Sequence, residues 1–334
     1  MQQALYHPEH GYYSSGRCVI GRKGDYFTNV SVGPLFGQLL AAQFTEIWER
    51  LGRPDDFAIV EQGAHDGQFA RDVLESSQKR SPEFFEALRY RIVEPFPILQ
   101  ERQARTLDSF REKIEWCDSL QPFMGVHFSN ELLDAMPVRL IGGDVEKLVD
   151  LEGDKFVFVE RPLRQGAAAA RLPRDDGSFN QAALDWIDDV ASNLQRGYVI
   201  TIDYGRSGGE FHERIQVRAQ HRNLDSPFEE IGHADITMGV CWPSIVERAQ
   251  ANRLHVAGFT DQHHFFTGII SESLDLTSES GVKIKRELQT LLHPEMLGRA
   301  FRVLALSKNV DLTAPKLAGF KFAPEPRSAL RAGR

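Results

Sequence analysis

The sequence predicts an α/β domain built on a mainly parallel sheet, and three strand-to-loop junctions carry that reading. Phe57-Ala58-Ile59-Val60-Glu61-Gln62-Gly63-Ala64-His65-Asp66-Gly67 runs from a continuous apolar strand through an acid and a glycine-bounded turn into a helix beginning near Gln68. Arg89-Tyr90-Arg91-Ile92-Val93-Glu94-Pro95 is a short β-rich run ending on an acid. In Val126-His127-Phe128-Ser129-Asn130-Glu131-Leu132-Leu133-Asp134-Ala135-Met136-Pro137-Val138 an apolar strand gives way to three polar side chains and is stopped by proline. Such strands, separated by helical patterns, belong to a sheet whose carboxyl edge hosts the chemistry.

Taken in order, Pro34 to Leu51 places Phe36, Leu39, Leu40, Phe44, Ile47, Trp48 and Leu51 at helical spacing, and Gly52-Arg53-Pro54-Asp55 ends that helix. Gly24, Asp25 and Thr28 precede it, in a segment placed to fold over a ligand; the competing reading is a capped loop in which Asp25 bonds local N–H groups.

The turn after the first strand holds Glu61, Gly63, His65 and Gly67. Its glycines let backbone approach a ligand closely. Glu61 and Asp66 would repel a pyrophosphate, which is met by glycines and bare helix N–H groups. The sulfonium, ammonium and ribose hydroxyls of S-adenosylmethionine suit acidic neighbours, which favours a methyl donor. A dinucleotide oxidoreductase would need Gly-x-Gly-x-x-Gly, which the turn lacks. Similar turns also occur in proteins that bind nothing there. Glu94 falls where a βαβ unit places its ribose-binding acid, ~20–30 residues on. It competes with a second role, favouring the N-terminus of the helix expected from Ile98 to Leu107, whose start Pro95 and Pro97 mark. Asp118, after Trp116-Cys117, stands where a third-strand acid would meet adenine, although loop aspartates usually serve turns.

Leu148-Val149-Asp150-Leu151 and Phe156-Val157-Phe158-Val159 flank Glu152-Gly153-Asp154 and predict an inserted β-hairpin that caps the sheet edge. A linker at Gln165 to Ala170 and an amphipathic helix from Trp186 to Leu194 follow. Tyr198 to Gly205 reads as a further buried strand, delivering Asp203 and Tyr204 to the edge that carries Asn130; a tyrosine near a strand end also packs for structural reasons alone. The polar stretch from Gly205 to Glu230 contains Arg206, His212, Arg214, Arg218, His221 and Arg222, and reads either as a substrate loop or as a solvated one. Leu254 to Thr260 and Phe301 to Ser307 look like closing strands. His263 and His264, read as facing opposite sides of a strand, give no metal-ligand spacing, so no metal is expected. The basic tail from Pro315 to Arg334 is expected to be disordered or loosely docked.

Composition agrees with this class. The 334 residues are 42% hydrophobic and 26% charged, as in ordinary soluble proteins, and the net charge of −8 argues against nucleic-acid partners. Cys18, Cys117 and Cys241 show neither disulfide-framework nor zinc spacing. With no run of ~18 apolar residues and no signal-peptide profile at the first residues, no membrane association and a cytoplasmic location are expected.

Several segments, in order along nearly the whole chain, resemble the S-adenosylmethionine-dependent methyltransferase family of MidA (DUF185-type), which includes the mitochondrial complex I assembly factor seven. They are Ala4-Leu5-Tyr6-His7-Pro8-Glu9-His10-Gly11-Tyr12-Tyr13, Gly24-Asp25-Tyr26-Phe27-Thr28, Leu35-Phe36-Gly37, the Glu61 to Gly67 turn, Asn130 to Val138, Ile202-Asp203-Tyr204-Gly205, Ala234-Asp235-Ile236-Thr237 and Gly298-Arg299-Ala300-Phe301-Arg302-Val303-Leu304. The resemblance implies a class I, Rossmann-like methyltransferase fold with a terminal antiparallel strand and an inserted hairpin. It divides the chain into a donor-covering segment (1–52), a core (53–140 and 197–310), an insertion (141–196), a substrate-loop region (206–235) and a flexible tail (315–334). S-adenosylmethionine is the implied cofactor and a protein arginine the implied acceptor, with a homodimer left open. Glu131 and Asp134 would then orient a planar guanidinium, with Asn130 contributing an amide; His221 matches a family histidine. Three departures stand out: the middle glycine of the turn is His65, Ser-Pro-Glu is replaced by Asn29-Val30-Ser31, and the Asp235-Ile236-Thr237 segment continues Met238-Gly239-Val240-Cys241-Trp242 without the family's His and Asp. A non-catalytic assembly protein retaining the fold and a methyltransferase with a small-molecule acceptor therefore remain as alternatives.

Overall fold

A computed structural model describes residues 1–18, 28–163, 177–206, 215–273, 282–326 and 330. Its central sheet is formed by β1 (Phe57–Gln62), β2 (Leu88–Val93), β3 (Ile114–Cys117), β4 (Phe123–Asn130), β5 (Leu194–Arg206), β6 (His255–Asp261) and β7 (Phe301–Lys308). Their spatial order is β6-β7-β5-β4-β1-β2-β3, with the short Val240–Cys241 strand beside the end of β5. β7 runs antiparallel to both its neighbours, and β1 to β5 pair in parallel. The expected α/β class with its antiparallel closing strand is present.

The strands read as apolar runs because helices cover both faces. On one face the helix Leu35–Arg50 buries Phe36, Leu39, Leu40, Phe44 and Ile47. Phe69 of the helix Gln68–Arg80 stacks on Phe128 of β4 at 4.4 Å, and Phe44 meets Phe128 edge-on at 5.7 Å. Each such ring contributes about 1.5–3 kcal/mol by leaving water. On the other face the helices Gln181–Asn193 and Trp242–Ala251 bury Trp186, Ile187, Val190, Trp242 and Ile245. Across β1, β4 and β5, Ala58, Gly125 and Gly197 sit in one row. Both glycines have positive φ, 142° and 138°. A Cβ on Gly125 would overlap the Ala58 carbonyl oxygen, and one on Gly197 the Gly125 carbonyl oxygen.

The inserted hairpin is present as Val145–Glu152 paired with Lys155–Pro162, extended by Arg139–Gly142 and Gly177–Phe179 into a four-stranded antiparallel sheet. The linker expected at 165–170 lies outside the described residues.

Four local expectations are corrected. The helix expected from Trp186 begins at Gln181, because Asn180 caps it by accepting from the Ala183 N–H at 2.9 Å. The polar stretch read as a loop contains strands Gln216–Ala219 and Arg222–Asn223, which join Asp235–Thr237; residues 207–214 lie outside the described part. Val217, Ala219 and Ile236 are buried there against Leu5, Tyr12 and Cys18, partners too distant in sequence for local polarity to reveal. His263 and His264 sit in the helix Gln262–Ser273, not in a strand. The tail docks between 317 and 323: Leu317, Phe320 and Ala323 are buried, Phe320 packs on Phe265 at 5.2 Å, and the Gly319 N–H donates to Gln43 Oε1 at 2.9 Å. Among the described residues no helix is long and apolar enough to cross a membrane.

Candidate active site

The carboxyl ends of β1, β2 and β4 open onto a cavity of about 770 Å³, within the range of small-molecule sites. The turn after β1 forms its floor, with Gly63, His65 and Gly67 all at positive φ (83°, 47° and 81°). Gly67 donates its N–H to the Ala64 carbonyl at 2.8 Å, and Asp66 accepts from the Gln68 N–H at 3.2 Å, which closes the turn onto the helix. Glu61, the last residue but one of β1, is buried at the cavity and accepts from the Tyr90 hydroxyl at 2.7 Å. Burial pushes its carboxyl up to about 8, against the Tyr90 bond.

Glu94 lines the same cavity. One carboxylate oxygen accepts from the Phe96 N–H and the other from Gln103 Nε2, both at 3.1 Å, and burial raises its pKa. Both sequence readings of Glu94 are thus structurally compatible, since Phe96 N–H opens the helix Pro97–Thr106. Asp118 also lines the cavity, as does Thr28, which caps the short helix Asn29–Val32 in a reciprocal box with Ser31. Gly24 and Asp25 lie outside the described residues.

At another wall β4 ends in Asn130, and Glu131 follows it directly. Glu131 takes φ +52°, uncommon for a side-chain-bearing residue and frequent at functional sites. Its Oε1 accepts from Asn130 Nδ2 at 2.8 Å and from the Asn29 N–H at 3.2 Å, while Asn130 Oδ1 accepts from Asn29 Nδ2 at 3.0 Å. Asn29 is fully buried and was missed as a site residue. Its signal was its place directly after the Thr28 cap, where the family pattern changes.

Glu131 and Tyr13 are shared with a second cavity of about 390 Å³, lined also by Asp134, Tyr204, Asp235 and Thr237. Tyr13 donates to Asp235 Oδ1 at 2.6 Å. Asp134 and Asp235 are nearly fully buried, at 6% and 4% exposure, and exposed Arg218 and Arg299 and half-buried Arg302 line the same cavity. Burial pushes Glu131 up to about 8, with Asp203 and Asp235 adding repulsion. Burial and the same two neighbours hold Asp134 well above the carboxylate range.

Asp203 departs from its expected substrate role. It is fully buried and lines neither cavity. Its Oδ2 accepts from the N–H groups of Leu133 (2.8 Å) and Asp134 (3.2 Å), and its Oδ1 from Tyr204 (2.7 Å). Burial raises its pKa, as it does that of Asp134, while these backbone donors favour its charged form. Asp203 holds the loop that presents Glu131 and Asp134. Tyr204 does line the second cavity, its ring 4.0 Å from Phe301. His221 sits exposed at the turn between Gln216–Ala219 and Arg222–Asn223, at φ +59°, and reaches neither cavity lining.

A parallel sheet in this order, with an acid ending each of two neighbouring strand junctions and a glycine turn between them, defines a site of the nucleoside-binding methyltransferase type. The chain belongs to the family described as putative S-adenosyl-L-methionine-dependent methyltransferase, whose profile matches residues 39–260. Among similar proteins are the protein arginine methyltransferase NDUFAF7 homolog of Drosophila melanogaster, 26% identical over 93% of this chain and 80% of that protein, and human NDUFAF7, 24% identical over 92% and 78%. A Burkholderia thailandensis crystal structure bound to S-adenosyl-homocysteine superposes with a TM-score of 0.86 at 28% identity, covering 98% of this chain and 90% of that one. The protein is a methyltransferase and S-adenosylmethionine is its cofactor. The residues of the first cavity fit that donor, with the Glu94 and Glu61 carboxyls and the glycine turn all in its lining.

Proposed function

We propose that the protein transfers the donor methyl group to an arginine side chain of a protein partner, with the donor in the first cavity and the guanidinium in the second. The observation that carries this reading is the meeting of the two cavities at Glu131, with Asp134 and Asp235 buried beyond it. A cation entering among buried carboxyls favours their ionised forms. A planar guanidinium can bond two carboxylates at once and so present one nitrogen in line with the sulfonium. As the C–N bond forms, the C–S bond breaks and S-adenosyl-homocysteine leaves neutral. The proton lost from nitrogen passes to the Glu131 carboxylate, which the bound cation holds in its ionised form. The relatives named protein arginine methyltransferases support the acceptor class at 24–26% identity, and the family resemblance extends it to a subunit awaiting assembly into a larger complex.

The test is methyl transfer from labelled S-adenosylmethionine to arginine peptides and to proteins of an extract, with the product site mapped by mass spectrometry. Glu131→Gln is expected to lower transfer at least a hundredfold while still binding S-adenosyl-homocysteine. Label on lysine or on a small molecule would refute the arginine reading, and donor binding without transfer to any acceptor would support a non-catalytic protein.

A further inference from the structure

The donor carries one negative charge, the carboxylate of its methionine end, and the cavity that receives it is strongly acidic. Seven carboxyl side chains line it, Glu61, Asp66, Glu94 and Glu131 among them. Among the described lining residues there is no Lys or Arg, and His65 is the one side chain able to bear positive charge. His65 occupies the middle position of the turn, where a glycine would offer only its N–H, and it holds the left-handed φ of +47° that this position requires. Its Nδ1 lies 3.6 Å from Asp66 Oδ1, and its carbonyl accepts from Gln103 Nε2 at 3.1 Å. Its Nε2 is buried and makes no hydrogen bond of ordinary geometry, although the Cys18 thiol faces the ring. A buried donor left unpaired costs about 1–3 kcal/mol, so a ligand group that satisfies it gains that amount back.

We infer that His65 binds the carboxylate of the donor's methionine end through Nε2, taking over by charge what a glycine turn does by backbone alone. The groups facing the ring are the Asp66 carboxylate, the Cys18 thiol and, more remotely, the Glu94 carboxylate. Burial works against the ring's charge, but Asp66 and Cys18 outweigh it and carry the imidazolium up to about 9. These neighbours favour the charged form of the ring in the empty site.

The experiment compares calorimetric binding of S-adenosyl-homocysteine and of 5′-methylthioadenosine, which keeps the nucleoside and sulfur but lacks the amino-acid end. The proteins are wild type, His65→Gly and His65→Asn; asparagine tolerates positive φ and carries no charge. A charge-assisted hydrogen bond corresponds to a loss of about ten- to a hundredfold. S-adenosyl-homocysteine is expected to weaken by that factor in both variants while 5′-methylthioadenosine binds all three proteins alike. The advantage of wild type over His65→Asn is expected to fade as pH rises through about 9. Equal weakening of both ligands would overturn the inference by placing His65 on the nucleoside or on the shape of the turn. Unchanged or tighter S-adenosyl-homocysteine binding in the variants would overturn it as well.

Discussion

Asp203→Asn separates a residue that holds the site from one that touches substrate. The carboxylate accepts three backbone N–H bonds, from Leu133 and Asp134 on one oxygen and Tyr204 on the other. An amide keeps one oxygen and turns an NH₂ group toward the donors of the other. If it retains the Leu133 and Asp134 bonds, the Tyr204 N–H is orphaned, a loss of about 1.5–3 kcal/mol for a bond to a charged group. The two remaining bonds weaken from charge-assisted to neutral, about 1 kcal/mol together. Against this stands relief from burying a charge beside Asp134, which burial and repulsion already keep protonated. The net expectation is a destabilisation of about 2 kcal/mol, which at a slope of about 3 kcal/mol/M moves the urea midpoint down by roughly 0.7 M. Equilibrium urea unfolding followed by tryptophan fluorescence measures it. In the folded variant, S-adenosyl-homocysteine binding should persist, because Glu94 and the turn after β1 do not depend on this carboxylate, whereas methyl transfer should fall. An unshifted midpoint with full transfer activity would refute the assignment of Asp203 as the anchor of the 131–134 loop.

Further outcomes follow from the same geometry. Glu94→Gln should weaken S-adenosyl-homocysteine binding ten- to a hundredfold, the loss of about one charge-assisted ribose bond, as read by calorimetry. Asn29→Ala should lower methyl transfer more than donor affinity, because it removes the amide bonded to Asn130 and loosens the segment bonded to Glu131; kcat and the donor Kd measured side by side check this. Folding raises Glu61 and Glu131 from 4.5 to about 8, so the folded protein holds protons that the unfolded chain has released. Stability is then highest below about pH 4.5 as far as these groups are concerned, and their contribution declines as pH rises to about 8; Glu131→Gln should flatten that slope in denaturation curves collected across the interval.

The core of the fold was legible because its signals are local. Apolar runs such as Phe57 to Val60 and the 3.6-residue periodicity of Phe36, Leu40, Phe44 and Ile47 depend only on neighbours in sequence. The acids lining the first cavity stand at local landmarks too: Glu61 is the last residue but one of β1, and Glu94 and Glu131 directly follow β2 and β4. What sequence left hidden rests on long-range partners. Asn29 joins Asn130 across 101 residues. The buried strands after residue 215 pair their apolar side with the first 18 residues, and Phe320 finds Phe265 in a helix 55 positions earlier in the chain. Asp203 stands at the expected edge with its carboxylate against three amides, an orientation that side-chain type alone does not reveal.

The row Ala58, Gly125 and Gly197 has a consequence for where the chemistry stands. Strand β4 meets β1 and β5 there with no room for a Cβ, so those strands cannot slide past one another by a residue without forcing a side chain into a carbonyl. A one-residue slip would also turn every side chain of β4 to the opposite face and displace its end by about 3.3 Å. The row therefore acts as an index mark several residues below the site, setting the height at which Asn130 emerges relative to Gln62 and Ile202. Alignment tolerances of methyl transfer are in this way written into a part of the sheet that no ligand touches.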